Sequence, residues 1–311
     1  MLNSQVKDSS RVMVRTEAVE GEERVSLRGR ATTRFWGKVI ALSVAAVLVA
    51  VLGLPSGCSR ASVSANAITL AGSTSVQPFA EVLGDEFMAD HKGQVINVQG
   101  GGSSAGIQAA RSEAAQIGMS SRKLKKDEAD LTPITIAWDA IAIIVNPVNP
   151  ISAITTQQVR DIFSGKIARW SQLGGKNVPI TVISREEGSG TRGSFDEMVL
   201  KELDITPRAL FQDSNGAVRE IVANDPNAIG YMSLGLVDQR VKALPLDGIQ
   251  PSTATVLNST YTLVRPFLFV LKAKATGESA AFIDFVLGPK GQDTLAREGL
   301  VPVKPATGGG K

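Results

Sequence analysis

Residues 184–195, with the sequence SREEGSGTRGSF, combine an arginine, two adjacent carboxylates and a run of glycines and hydroxyl side chains. Arg185 carries a planar fork of donors that suits two oxygens of one oxyanion. Ser189 and Thr191 add hydroxyl donors, and Gly190 allows the backbone to approach a ligand closely. These residue types therefore predict a binding site for a small oxyanion.

The elements on either side of this loop would hold it in place. Residues 178–183 form a short apolar run, which is typical of a buried strand. Apolar residues then recur from Phe195 to Leu203 with the spacing of one helix face, so we predict a helix over residues 194–203. The loop would thus lie before the N-terminus of a helix, whose unpaired N–H groups attract anions.

Two other interpretations of this loop remain open. The GSGT segment can be a helix cap without a ligand, because glycine, serine and threonine are common cap residues. Gly188, Gly190 and Gly193 also match GxGxxG, with Asp213 further along the chain, as in a dinucleotide-binding enzyme. Against this fingerprint, charged residues stand between the strand and the first glycine, where a tight turn is required.

Two more loops repeat the same chemistry. Residues 72–75, GSTS, and residues 100–106, GGGSSAG, each follow a predicted strand and precede a predicted helix. A further strand ends in the pair Ser121 and Arg122. Ligands of open α/β sheets bind beyond the carboxyl ends of the strands, so we expect these loops to converge on one oxyanion.

The order of the predicted elements indicates the fold class. From residue 68 onward, short apolar strands alternate with amphipathic helices, which is typical of parallel βαβ units in an α/β protein. Two long apolar strands, at residues 134–146 and 261–271, bracket the middle of the chain. This arrangement predicts two α/β lobes joined by a pair of crossings.

The first part of the chain differs from the rest. An arginine-rich polar segment is followed by an uninterrupted apolar run at residues 39–54, which is typical of an export signal. The run is shorter than the roughly 20 residues that span a bilayer, although an uncleaved anchor is the alternative. Cys58, the only cysteine, follows small residues and resembles the lipidated cysteine of bacterial lipoproteins. We therefore expect an export signal at residues 1–57, a lipid-attached linker at 58–66 and a flexible tail at 305–311.

Several classes of function are disfavoured by composition. A single cysteine excludes an internal disulfide and a cysteine-rich metal site, and His91 is the only histidine available as a catalytic base. The net charge is only +3 and aromatic residues make up 5%, which argues against a nucleic-acid surface. We expect a monomer with no catalysis, no metal, no cofactor and no nucleic-acid partner.

Six motifs, taken in order, carry a family resemblance. AGSTSVQPFAE, GGGSSAGIQAA, IGMSSRKL, IVNPVNP, SREEGSGTRGSF and NAIGYMSLG resemble the phosphate-binding component of bacterial phosphate ABC transporters, the PstS-like proteins. The resemblance implies a two-lobed periplasmic-binding-protein fold, with mixed, mostly parallel sheets flanked by helices and the ligand in the interlobe cleft. Lobe I would comprise residues 67–143 and 262–304, and lobe II residues 144–261.

The resemblance also implies a function. The protein would bind inorganic phosphate outside the cytoplasm and deliver it to a membrane permease, as an exported lipoprotein facing the periplasm or the cell exterior. Another tetrahedral oxyanion, such as sulfate, is the alternative ligand within the same class. The predicted phosphate-binding residues are Ser73, Thr74, Ser75, Ser103, Ser121, Arg122, Arg185, Glu187, Ser189, Gly190 and Thr191.

One predicted position departs from the family pattern. Some members carry an aspartate where this chain has Ser121, and that aspartate accepts a hydrogen bond from the phosphate proton. We therefore predict that Glu187 takes this role, held ionised by Arg185 or Arg122, with the Ser121 hydroxyl as the alternative acceptor.

Overall fold

A computed structural model describes residues 67–303 of the chain. The predicted export signal, the linker with Cys58 and the predicted tail lie outside the described residues. All described residues belong to one compact unit. No helix within residues 67–303 is both long enough and apolar enough to span a bilayer.

The described strands form one hydrogen-bonded sheet with the order β2-β1-β3-β9-β4-β7-β5-β6, and β8 and β10 pair with β4. Their bounds are β1 Ala67–Gly72, β2 Val95–Gly100, β3 Ile117–Ser120, β4 Thr132–Val145, β5 Thr181–Arg185, β6 Leu210–Gln212, β7 Ala228–Ser233, β8 Lys242–Ala243, β9 Val264–Leu271 and β10 Val301–Pro302. Strands β1, β2 and β3 are parallel, as are β5, β6 and β7. The long strands β4 and β9 run antiparallel to their neighbours, which makes the sheet mixed.

Helices connect most of these strands. Their bounds are α1 Gln77–Asp90, α2 Ser103–Arg111, α3 Thr156–Phe163, α4 Gly190–Phe195, α5 Asn215–Asn224, α6 Thr253–Leu257, α7 Gly277–Leu287 and α8 Pro289–Arg297.

Helix α4 begins earlier than residue 194, where the sequence predicted it. Ser189 is its N-cap, and the Ser189 hydroxyl accepts from the Arg192 backbone N–H at 3.3 Å. The helix continues as a π-helical segment, Asp196–Leu200, and ends before Leu203, which is exposed. The predicted end at residue 203 was therefore wrong. The GSGT motif itself forms the cap and first turn, because a serine that satisfies a free N–H favours a helix start.

The long strand β4 changes partners along its length. Residues up to Ala140 pair with β9, and residues from Ile141 onward pair with β7. The buried apolar residues separate in the same way, since Ile136 packs with Phe267 in one large cluster and Ile141 packs with Tyr231 in another. The predicted lobe boundaries, at residues 143 and 261, stay a prediction.

Candidate functional site

The carboxyl ends of the first three strands bring the predicted loops together. Because β1 lies between β2 and β3, the loops that follow these strands are neighbours. The Ser73 N–H donates to the Met119 carbonyl at 2.9 Å, and the Gly102 N–H donates to the Gly72 carbonyl at 2.9 Å. Gly72 has φ +136°, and a Cβ there would lie 2.7 Å from the Gly106 Cα, so only glycine fits.

A cluster of buried hydroxyl groups lies at this edge. The Ser73 hydroxyl donates to Ser121 Oγ at 2.9 Å, and the Ser121 backbone N–H donates to Ser103 Oγ at 3.0 Å. The hydroxyl oxygens of Ser75 and Thr191 lie 2.8 Å apart. All five side chains are at most 2% exposed. The structure therefore brings together predicted residues from all three loops and from the end of β3.

Gly190 makes this convergence possible. A Cβ atom at Gly190 would overlap the Ser103 hydroxyl and lie 2.6 Å from Ser121 Oγ. The N-terminus of α4 therefore packs directly on the serines that follow β2 and β3. Beside this contact, the Ser104 N–H donates to the Gly188 carbonyl at 3.0 Å.

Arg185 lies at the end of β5 and is 1% exposed. Its Nε and Nη2 atoms both donate to the Glu186 carboxylate at 3.0 Å, and Nη2 also donates to Thr74 Oγ1 at 3.1 Å. The carbonyls of Gln212 and Asp213 accept two further bonds, at 3.1 and 2.9 Å. The remaining nitrogen, Nη1, is buried and has no hydrogen-bond partner among the described residues. A buried guanidinium nitrogen in that state favours an anionic acceptor.

The predicted pairing of Glu187 with Arg185 or Arg122 is contradicted by the structure. Arg185 pairs with Glu186 and Arg122 pairs with Glu128, whereas the Glu187 side chain is exposed and has no ion pair or side-chain hydrogen bond among residues 67–303. Glu186 and Glu187 lie in a turn and point in different directions, so Glu186 pairs with Arg185 and Glu187 faces solvent. The predicted role of Glu187 as the reader of the phosphate proton has no geometric support.

Arg122 is buried, but its charge is already matched. Its two terminal nitrogens donate to the two Glu128 oxygens at 2.8 Å each, a bidentate geometry. The hydrogen bonds from Arg122 hold the pKa of Glu128 below its usual range. Nη2 also contacts Ser104 Oγ at 3.3 Å. Arg122 thus stiffens the loop after β3, and its predicted contact with an anion stays a prediction.

Two charged residues of the site were missed by sequence reasoning. Asp139 on β4 and Arg265 on β9 lie opposite each other in the sheet, and each side chain is 1% exposed. Arg265 donates to Asp139 Oδ2 at 2.9 and 3.0 Å and also contacts Ser75 Oγ at 3.2 Å. A lone charge within each long apolar strand was the available signal, because burying an ion requires a partner.

Burial sets the electrostatics of this pair. Loss of solvent raises the pKa of the Asp139 carboxyl, against the opposing effect of the Arg265 charge. Burial also lowers the pKa of Arg265, which Asp139 opposes. An arginine keeps its proton in proteins, so a cation remains beside the hydroxyl cluster.

The packing of the loop at residues 188–193 disfavours a bound dinucleotide. The close approach that Gly190 permits is taken by Ser103 and Ser121 of this chain, and a Cβ added at Gly193 would lie 3.1 Å from Arg122 Cδ. Asp213 contributes its backbone carbonyl to Arg185. Within residues 67–303, no group of three or more histidine, cysteine, aspartate or glutamate side chains is arranged to hold a metal ion.

Comparisons with known proteins agree with the motifs. A family model described as a PBP superfamily domain matches residues 59–290. The phosphate-binding protein PstS of Bacillus subtilis (strain 168) is 31% identical over 77% of this chain and 82% of its own length. The fold resembles the X-ray structure of a substrate-binding protein assigned to a phosphate ABC transporter of Clostridium perfringens, with bound phosphate. That protein has 42% identity and a TM-score of 0.75, covering 77% of this chain and 100% of the other.

A second solved structure gives the same fold. It is an ABC-type phosphate transport receptor from Vibrio cholerae, with 34% identity and a TM-score of 0.64, covering 76% of this chain and 99% of the other. The α/β periplasmic-binding-protein fold that the resemblance implied is confirmed. The chain belongs to the PBP superfamily and, within it, to the PstS family of phosphate-binding proteins.

Proposed function

We propose that this protein binds inorganic phosphate outside the cytoplasm and passes it to the membrane permease of an ABC transporter. The observation that carries this proposal is Arg185. Its guanidinium is 1% exposed, yet Nη1 has no acceptor among the described residues, beside a cluster of buried hydroxyl groups. An anion with several oxygens would accept from Nη1 and from hydroxyls of this cluster at once.

The chemistry of the neighbouring groups supports an oxyanion over other ligands. Ser73, Ser75, Ser103 and Thr191 are buried hydroxyl residues, and Ser103 and Thr191 are each able to donate one hydrogen bond to an anion. Arg185 and Arg265 place two guanidinium groups nearby. B. subtilis PstS is a phosphate-binding protein, and the C. perfringens structure contains bound phosphate. Of the predicted site, Glu187 is withdrawn, and the other ten residues remain the proposed contacts or their supports.

Two lobes, with the boundaries predicted at residues 143 and 261, would enclose this ligand. Contacts that join residues from the two proposed lobes support a cleft at the site. These are the Ser75–Thr191 hydroxyl pair and the hydrogen bond from Ser104 N–H to the Gly188 carbonyl. Closure over a ligand is the usual behaviour of a binding protein built in this way.

The family consists of solute-binding proteins, and we propose that this member has no catalytic activity. We further propose that the mature protein is a monomer held at the membrane by a lipid on Cys58. A Cys58→Ser variant would then leave the membrane fraction while still binding phosphate, because a lipid on the N-terminal segment would not contact the site. A variant that stays in the membrane fraction would instead identify residues 39–54 as an uncleaved anchor.

The experiment is calorimetric titration of purified, extensively dialysed protein with phosphate, sulfate and NAD⁺ in parallel. Saturable binding of phosphate, with weaker or undetectable binding of sulfate, is expected. Tighter binding of sulfate would make the protein a binding protein for a different oxyanion. Binding of NAD⁺ alone would instead favour a nucleotide-dependent enzyme that uses the GxGxxG loop at residues 188–193.

A further inference from the structure

The buried pair of Asp139 and Arg265 lies beside the point where β4 changes partners. Ala140 is the last residue of β4 that pairs with β9, and Ile141 is the first that pairs with β7. The Arg265 guanidinium donates to Asp139 Oδ2 through Nε at 3.0 Å and through Nη2 at 2.9 Å. The pair is therefore fixed to the two long strands rather than to a loop.

The same guanidinium reaches the anion site. Nη2 donates to Ser75 Oγ at 3.2 Å, and Nη1 donates to the Ser121 carbonyl at 3.4 Å. Asp139 is held in turn by the Ser233 hydroxyl, which donates to its Oδ1 at 2.8 Å. Arg265 thus joins two loops of the site to the strands behind them.

A second contact to Ser75 comes from Asn215, at the start of α5. The Ser233 backbone N–H donates to Asn215 Oδ1 at 3.1 Å, and Asn215 Nδ2 lies 2.8 Å from Ser75 Oγ. Because a backbone N–H can only donate, the atom of Asn215 that it meets must be the amide oxygen. The amide nitrogen of Asn215 therefore faces Ser75 as a donor.

These contacts determine the direction of the Ser75 hydroxyl. A serine oxygen accepts two hydrogen bonds and donates one. Both acceptor positions of Ser75 are filled, by Asn215 and by Arg265, so its single proton is directed to Thr191 Oγ1 at 2.8 Å. Thr191 then accepts from Ser75 and keeps its own proton for another acceptor.

We infer that Arg265 is a positioning residue of the anion site, acting through Ser75. Arg265 fills an acceptor position of Ser75, so the Ser75 hydroxyl donates its proton to Thr191. The Thr191 hydroxyl can then donate its own proton to an oxygen of the bound anion. This inference rests on the proposed function, since it concerns the same phosphate site. Without Arg265, the Ser75 hydroxyl can rotate and accept from Thr191, which removes a donor from the anion.

A double-mutant cycle tests this inference. The Asp139→Asn/Arg265→Met variant removes the donation to Ser75 without leaving a buried carboxylate unpaired. Its phosphate Kd is measured by calorimetry in the wild-type background and in a Ser75→Ala background, with circular dichroism as the check of folding. We expect a loss of about tenfold with Ser75 present and less than about twofold with Ser75→Ala, since contacting residues couple and independent residues add.

A matched control is the Arg111→Met/Asp130→Asn variant, which removes a bidentate pair on the surface. Its phosphate Kd should not change. If the buried double variant does not fold, Arg265→Lys replaces it in the same double-mutant cycle with Ser75→Ala. One ammonium group cannot make the guanidinium contacts to Asp139, Ser75 and Ser121 together. Its smaller loss should also disappear with Ser75→Ala.

The outcomes separate this inference from the proposed function. Equal losses in the two backgrounds, or no loss in either, would overturn the role of Arg265 while phosphate binding by the wild type stands. If wild-type protein binds no phosphate at all, the proposed function and this inference are overturned together.

Discussion

Arg185 concentrates the recognition chemistry of the site in one side chain. Nε and Nη2 are held by Glu186, Thr74 and two backbone carbonyls, which leaves Nη1 as the atom without a described partner. This arrangement fixes the plane of the guanidinium before any ligand arrives. Preorganisation of this kind lowers the entropic cost of binding.

We expect Arg185→Lys to weaken phosphate binding by more than about tenfold, or ~1.4 kcal/mol. A lysine keeps the charge but has one nitrogen, so it cannot hold Glu186 and also donate to the anion with the same geometry. Calorimetry of the variant measures the loss. Arg111→Lys, in an exposed pair with Asp130, is the control and should bind as the wild type does. An unchanged Kd for Arg185→Lys would remove Arg185 from the proposed contacts.

The two neighbouring carboxylates give a second prediction. Glu186 holds Arg185 at 3.0 Å, whereas Glu187 is exposed. Glu186→Gln should therefore weaken phosphate binding by several-fold, since a neutral amide supports the guanidinium less well. Glu187→Gln should bind phosphate and reject sulfate as the wild type does. A loss of discrimination in Glu187→Gln, measured by competition between the two anions, would restore our first assignment.

Glu128 gives a prediction about pH. Its pKa is lowered by Arg122, so the pair stabilises the fold fully above the ordinary value of 4.5 and loses this contribution as pH falls through the folded-state pKa. We expect the urea midpoints of the wild type and Glu128→Gln to run in parallel above about pH 5, and that of the wild type to fall more steeply from about pH 4.5 to about pH 3. Parallel curves over the whole range would show that the pair contributes no pH-dependent stability.

At the scale of elements, the start of α4 decides how closely the anion loops approach. Gly190 packs on Ser103 and Ser121 with no room for a Cβ, whereas a Cβ at Gly188 would meet nothing closer than Ser104 Cβ at 3.9 Å. The two glycines stand two positions apart in one motif, so they form a matched pair for mutation.

We expect Gly190→Ala to weaken phosphate binding by about tenfold or more, because the added methyl pushes α4 away from the serines and overpacking of this kind costs ~1–3 kcal/mol. Gly188→Ala should weaken binding much less. Calorimetry of both variants, with circular dichroism as the check of folding, makes the comparison. Equal losses in the two variants would indicate a general demand for loop flexibility instead.

Local pattern was sufficient to predict most of the elements. The long strands predicted at residues 134–146 and 261–271 differ from β4 and β9 by only a few residues at their ends. Strong periodicity and flanking prolines mark such elements without any tertiary information. The start of α4 was missed because its first turn carries no apolar residue, and helix periodicity becomes visible only at Phe195.

The site was harder to predict where it depends on register. The hydroxyl loops were found because glycine and serine at strand ends are a local signal. The pairing of Asp139 with Arg265 was not predicted, because it depends on which residues face each other across two strands that are far apart in the sequence. Which of Glu186 and Glu187 pairs with Arg185 depends on the backbone conformation of one loop. Two adjacent identical residues give no sequence signal for that conformation.

At the scale of the whole molecule, β4 is shared between the two proposed lobes. Its first part contributes Ile136 to one apolar cluster and its last part contributes Ile143 to the other. Neither cluster can unfold alone without breaking this strand, and β9 pairs along the first part of it. The two lobes should therefore behave as one cooperative unit despite the cleft between them.

We accordingly expect a single calorimetric unfolding transition for the mature protein, with equal van't Hoff and calorimetric enthalpies. Phosphate should move the whole transition upward, since a ligand at 100 times its Kd stabilises the folded state by about 2.7 kcal/mol. The shift should be smaller for Gly190→Ala at the same phosphate concentration, because a weaker ligand stabilises less. Two separate transitions, with phosphate raising only one of them, would contradict both the shared strand as the cooperative element and a site that draws on both lobes.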